Sequence, residues 1–118
     1  MTWLFPEPEL AVGEVIEGKI KAQLIPPHGA QTTGVLYVTN RDLVFVPGRG
    51  TPKGRAIITR LARRRCVSVT SEVGRVSVGL GGGASRRVRI ALDDGRGVTF
   101  GVRNADAVIS SLRRALHV

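Results

Sequence analysis

The chain has 118 residues, 42% hydrophobic and only 4% aromatic; that length supports one domain with an aliphatic core and leaves too little for two. No apolar run approaches the ~18 residues of a membrane-spanning helix. The net charge of +9 is uneven, with four Lys/Arg against five Asp/Glu in residues 1–50 and fourteen against four in residues 51–118, which points to an anionic partner for the second half.

The first nine residues lack a basic region and turn acidic at Glu7 and Glu9, unlike a secretory signal. Pro6 and Pro8 oppose helix, so residues 1–13 read as an extended lead-in to a single domain over 14–118. Trp3, Leu4 and Phe5 either pack on the domain or mark a partner site. From Glu14 the pattern alternates: Ile16, Gly18, Ile20, Ala22 and Leu24 fall on one face, Glu17, Lys19, Lys21 and Gln23 on the other. A period of two over this length is a half-buried strand. Pro26 and Pro27 end it, since proline cannot join an interior ladder. Gly34 to Val46 then reads as a β-hairpin, Val35–Thr39 and Leu43–Val46 flanking Asn40-Arg41-Asp42, where Asn and Asp tolerate a tight reversal.

Pro47 to Arg55 is a basic loop, Ala56–Arg60 a fourth strand, and Leu61–Arg65 a connection to a fifth at Cys66–Thr70, with Val67 and Val69 on one face. Val76, Val78 and Leu80 either extend that run past a bend at Glu72–Arg75 or form a short strand of their own. Gly79–Ser85 is a glycine-rich connection. Val88, Ile90 and Leu92 alternate with Arg87, Arg89 and Ala91; a turn at Asp93-Asp94-Gly95-Arg96 leads to Val98, Phe100 and Val102. The period then changes. Asn104 is placed to cap a helix, Asp106 lies in its first turn, and Ala105, Val108, Ile109, Leu112, Ala115 and Leu116 make one apolar stripe. Such a stripe must be buried on the strands, so helix and strands form one domain.

Three segments carry a family resemblance. Glu9-Leu10-Ala11-Val12-Gly13-Glu14-Val15 resembles the lead-in of GRAM and bacterial pleckstrin-homology-like domains. Gly34-Val35-Leu36-Tyr37-Val38-Thr39-Asn40-Arg41-Asp42-Leu43-Val44-Phe45 resembles their "G-x-L-Y-V-T-x-x-x-L-x-F" hairpin. Asp94-Gly95 with Val98-Thr99-Phe100 and the helix after Asn104 is similar to their C-terminal end. The resemblance covers about residues 9–117. It implies a mainly β fold: a barrel of about seven antiparallel strands in two near-orthogonal sheets, capped by one C-terminal α-helix. It also implies that the loops Pro26–Thr33 and Gly48–Arg55 flank an open end, with the Asp93–Gly97 turn beside them. Lys19, Lys21, Arg49, Lys53, Arg55 and Arg96 would then converge on a phosphate-bearing headgroup through charge-assisted hydrogen bonds.

The densest basic cluster is Arg60, Arg63, Arg64 and Arg65, which as a nucleic-acid site would give phosphate contacts without sequence readout. Few aromatics are available for base stacking, and Tyr37 is expected half-buried. Catalytic signals are weak. His28 and His117 lie in a loop and at the terminus, Cys66 falls opposite Val67 and Val69 as a structural thiol, and Asp93 and Asp94 serve a turn. Gly79 to Ala84 fits G-x-G-x-x-A, but strand alternation follows where a phosphate-binding helix is needed. Gly48–Gly54 lacks the Gly-Lys-Ser/Thr ending of a phosphate-binding loop. A single cysteine, Cys66, forms no internal disulfide and favours a reducing cytoplasm. The sequence therefore reads as a cytoplasmic, non-enzymatic interaction module without cofactor or metal, peripheral at the membrane or free of it. Its partner would be a protein or an anionic phospholipid, with nucleic acid as the alternative.

Overall fold

Seven strands and a helix follow one another in a computed structural model that describes residues 7–27, 30–48, 51, 58–73 and 86–118. They are β1 (Ile16–Ile25), β2 (Thr32–Thr39), β3 (Asp42–Pro47), β4 (Thr59–Ala62), β5 (Cys66–Val73), β6 (Arg86–Leu92), β7 (Gly97–Gly101) and α1 (Ala105–Leu116), with a 3₁₀ turn at Arg63–Arg65. All strand pairings are antiparallel. The strands form one continuous sheet in the order β4-β3-β2-β1-β7-β6-β5, where two separate sheets were expected. Its outer strands β4 and β5 are not paired with each other, so the sheet is not closed into a barrel. No helix among the described residues is long and apolar enough to cross a membrane.

One core joins the sheet to the helix. Leu36, Leu43, Phe45, Val69, Val88, Ile90 and Phe100 meet Ala105, Ile109, Leu112 and Leu116 of α1, which packs on β5 and β6. Phe45 and Phe100 pack as a tilted pair with centroids 5.7 Å apart, an arrangement favoured by aromatic quadrupoles. The helix ends where His117 takes a left-handed conformation (φ 58°) and its N–H bonds the Arg113 carbonyl.

Both faces of the hairpin are buried. Leu36, Val38, Leu43 and Phe45 enter the main core, while Val35, Tyr37, Val44 and Val46 form a second apolar cluster on the opposite face. Tyr37 is 1% exposed, so it is buried rather than half-buried. Burial, with the charge of Glu7 behind it, raises the pKa of the Tyr37 hydroxyl. Close packing also explains Gly34, where a Cβ would lie 2.2 Å from the Val46 carbonyl oxygen.

Two β-bulges overturn simple alternation. A register shift between Ile16 and Gly18 turns Ile16 away from Ile20 and Ala22, onto the second cluster. Another between Cys66 and Ser68 buries Cys66 with Val69 and leaves Val67 exposed, separating the two valines expected on one face. β4 begins at Thr59 and takes in Leu61 and Ala62 from the expected connection. β5 runs through the expected bend at Glu72 as far as Val73. The stretch holding Val76, Val78, Leu80 and the glycines up to Ser85 lies outside the described residues, as do Trp3, Leu4, Phe5 and His28.

Candidate anion-binding site

The hairpin tip reverses without any residue at positive φ. Thr39 does the work, its Oγ1 accepting from the Arg41 and Asp42 N–H groups at 3.2 and 2.9 Å. The same hydroxyl donates to Glu14 Oε2 at 2.6 Å. Glu14 is buried, and its Oε1 accepts from the Ala11 N–H at 3.0 Å. Arg60 completes the group, 3.3 Å from Glu14 Oε2 and 2.8 Å from Asp42 Oδ2, and also donates to the Glu9 carbonyl. The Thr39 hydroxyl, then the Ala11 amide and Arg60, hold the Glu14 pKa below its usual value despite burial.

The arginine cluster is largely occupied by such contacts. Arg63 donates to Glu17 Oε1 at 2.9 Å, to the Thr39 carbonyl at 2.8 Å and to the Ala115 carbonyl. The last is one of the acceptors that a helix C-terminus leaves without an intrahelical partner. Arg65 bonds Asp93 at 3.1 Å and Asp94 at 2.8 Å across the β6–β7 turn. Within that turn Arg96 is 2.7 Å from Asp94, which its side-chain and backbone hydrogen bonds hold down to about 2. Arg64 is exposed and unpaired among the described residues. Arg60, Arg63 and Arg64 line one groove, and Arg65 faces the turn.

The six-residue headgroup set fares differently. Arg49, Lys53 and Arg55 lie outside the described residues. Lys19 and Lys21 are exposed on the outer face of β1, the Lys19 ammonium 5.9 Å from the centre of the Tyr37 ring. Arg96 stays in its turn with Asp94. None of these three described residues lines the groove of ≈480 Å³ that opens where β1 ends at Pro26 and Pro27.

Arg87 and Arg89 line that groove instead, with Leu24, Val98 and Thr99. Neither arginine has an acidic partner among the described residues; Glu72, the acid on the wall, stands opposite Arg87 in the ladder without an ion pair. Register explains their reach. β7 places Gly97, Thr99 and Gly101 beside them on the outer face, so small side chains lie between the two arginines and β1. The Arg89 guanidinium lies over Gly97, where a Cβ would meet it at 2.4 Å. In the sequence both arginines belong to the polar face of an alternating strand. Only the pairing with β7 sets them on a groove.

Cys66 is buried, its thiol donating to the Ala62 carbonyl at 3.5 Å. Burial raises its pKa against the pull of Arg63 and Arg65, which disfavours the thiolate.

No family model matches the chain, and no curated protein matches it. Among solved structures it is similar to the C-terminal domain of an unknown protein from Leishmania infantum, with a TM-score of 0.65 over 91% of this chain and 88% of that one. Identity is 13%, so the likeness is one of fold.

Proposed function

We propose that the chain is a non-catalytic interaction module of the pleckstrin-homology/GRAM-like class, which takes an anionic group of its partner into the groove beside Pro26 and Pro27. The order of seven strands and a terminal helix supports the class. One observation carries the binding reading: Arg87 and Arg89 share a partly apolar groove with no acidic partner among the described residues, whereas Arg60, Arg63, Arg65 and Arg96 are engaged. A volume of ≈480 Å³ suits a headgroup or a small anionic side chain. Guanidinium groups bind phosphate and carboxylate oxygens in bidentate fashion, and the apolar wall strengthens that attraction. The engagement of Arg60, Arg63 and Arg65, three of the cluster's four arginines, argues against a phosphate-backbone interface there.

Titration with inorganic phosphate and with soluble glycerophosphate, followed by backbone amide resonances, tests the reading. Shifts are expected at Gly97 and Thr99, and Arg87→Glu with Arg89→Glu should weaken binding about tenfold or more, the loss of one charged hydrogen bond or more. Arg65→Glu should leave it unchanged. Equal binding by the Arg87/Arg89 double variant would reject this groove.

A further inference from the structure

The second apolar cluster lies on the face of the sheet away from the main core. Val35, Tyr37, Val44 and Val46 are each 5% exposed or less there, and Ile16 packs beside them. An antiparallel face left to water carries polar side chains, so four apolar ones buried this deeply need a second layer over them. The helix does not supply it, because the buried residues of α1 belong to the main core. Residues 7–9 of the lead-in begin it. Arg60 stands opposite Val44 in the β3–β4 ladder and donates to the Glu9 carbonyl. Pro8 is buried, and the charge of Glu7 acts on the Tyr37 hydroxyl. Asn40 fastens the root of this segment, its Nδ2 donating to the Gly13 carbonyl at 3.1 Å and its Oδ1 accepting from the Val15 N–H at 2.9 Å. From Glu9 back to Glu7 the chain thus advances over the cluster.

One proline is too small to bury four such side chains, and the sequence sets larger ones directly before it. Of three phenylalanines, one tryptophan and one tyrosine, Phe45 and Phe100 fill the main core and Tyr37 the second. The remaining aromatics, Trp3 and Phe5, flank Leu4 just ahead of Pro6. Six residues at about 3.3 Å each reach ~20 Å, while the cluster runs only from Tyr37 to Val35 on one strand and from Val44 to Val46 on the other. Charge agrees with this course. Residues 1–9 hold Glu7 and Glu9 and no Lys or Arg, and the ladder sets Lys19, Lys21 and Arg60 opposite Tyr37, Val35 and Val44. We infer that the outer face of the β2–β3 hairpin is a docking site for an extended apolar segment, and that the chain's own Trp3-Leu4-Phe5 occupies it as a strap. The site is separate from the Arg87–Arg89 groove, whose arginines lie beyond β1 and β7 on β6.

Trp3 is the chain's one tryptophan and Tyr37 its one tyrosine, so each side of the contact carries its own probe. In the folded full chain, Trp3 emission should lie at shorter wavelength than in urea and resist acrylamide quenching. Tyr37 should resist nitration by tetranitromethane. Replacing Trp3, Leu4 and Phe5 together by serine should expose Tyr37 to nitration while the circular dichroism of the fold is kept. A synthetic peptide of residues 1–8 should then restore that protection, and the same peptide carrying the three serines should not. Phe5→Ser alone, a milder change, should raise the quenching of Trp3. Trp3 as open to acrylamide in the folded chain as in urea would overturn the inference. A folded triple-serine variant whose Tyr37 stays inert would do the same, because another segment would then be the cover.

Discussion

Glu14 illustrates how one residue ties local chemistry to the fold. Its carboxylate is reached by Ala11 of its own turn and by the distant Thr39 and Arg60, so lead-in, hairpin tip and β4 depend on its charge. Its folded pKa lies below the unfolded value of about 4.3, and Asp94 is held down to about 2. Lowered carboxyl values stabilise the fold above the unfolded pKa and lose that contribution as pH falls through the folded one. Thermal stability should therefore be level between about pH 5 and pH 8 and decline below about pH 4.5. Glu14→Gln should be less stable than wild type at neutral pH, with the gap closing at acid pH. Thr39→Val takes the hydroxyl donor from the buried carboxylate and the acceptor from the Arg41 and Asp42 N–H groups, at a cost of about 1–3 kcal/mol by denaturant unfolding. Of this network the sequence exposes only Asn40 and Asp42, as turn residues. Asn40 bonds the lead-in more than its own turn, and the basic run at Arg60–Arg65 conceals that three of its arginines have acceptors brought to them by folding.

At the scale of elements, strand existence was legible and strand faces were not always so. Alternation marks β1, β6 and β7 clearly, and the change of period marks α1. The bulges at Ile16/Gly18 and Cys66/Ser68 leave no sign in a hydrophobic pattern, because an extra residue on one strand shows only against its partner. The sheet's end strand β5 illustrates another feature set by packing. Arg113 Nε donates to the Val69 carbonyl at 2.9 Å, so the helix engages a strand that is paired on one side only. Edges of this kind recruit other strands unless covered. Arg113→Ala should cost about 1 kcal/mol and increase self-association, measured by denaturant unfolding and sedimentation velocity.

The molecule as a whole should unfold as one unit, because one core holds both the sheet and the helix. Leu112, 1% exposed on α1, contacts that shared core. Leu112→Ala should destabilise by about 2–5 kcal/mol, and the helix and sheet signals in circular dichroism should still melt together. Separate transitions would show that α1 is an independent element.

By itself the amino-acid order determined the strand and helix succession, the Gly34–Val46 hairpin and the apolar stripe of α1. Those features rest on short-range periodicity and turn chemistry, which are read within a few residues. Tertiary structure alone decided which cations are free. Arg60, Arg63 and Arg65 meet acceptors from residues 18 to 52 positions away, whereas Arg41, Arg64, Arg87 and Arg89 meet none among the described residues. A guanidinium's availability depends on what the fold brings to it, and long-range pairing writes no local pattern into the chain.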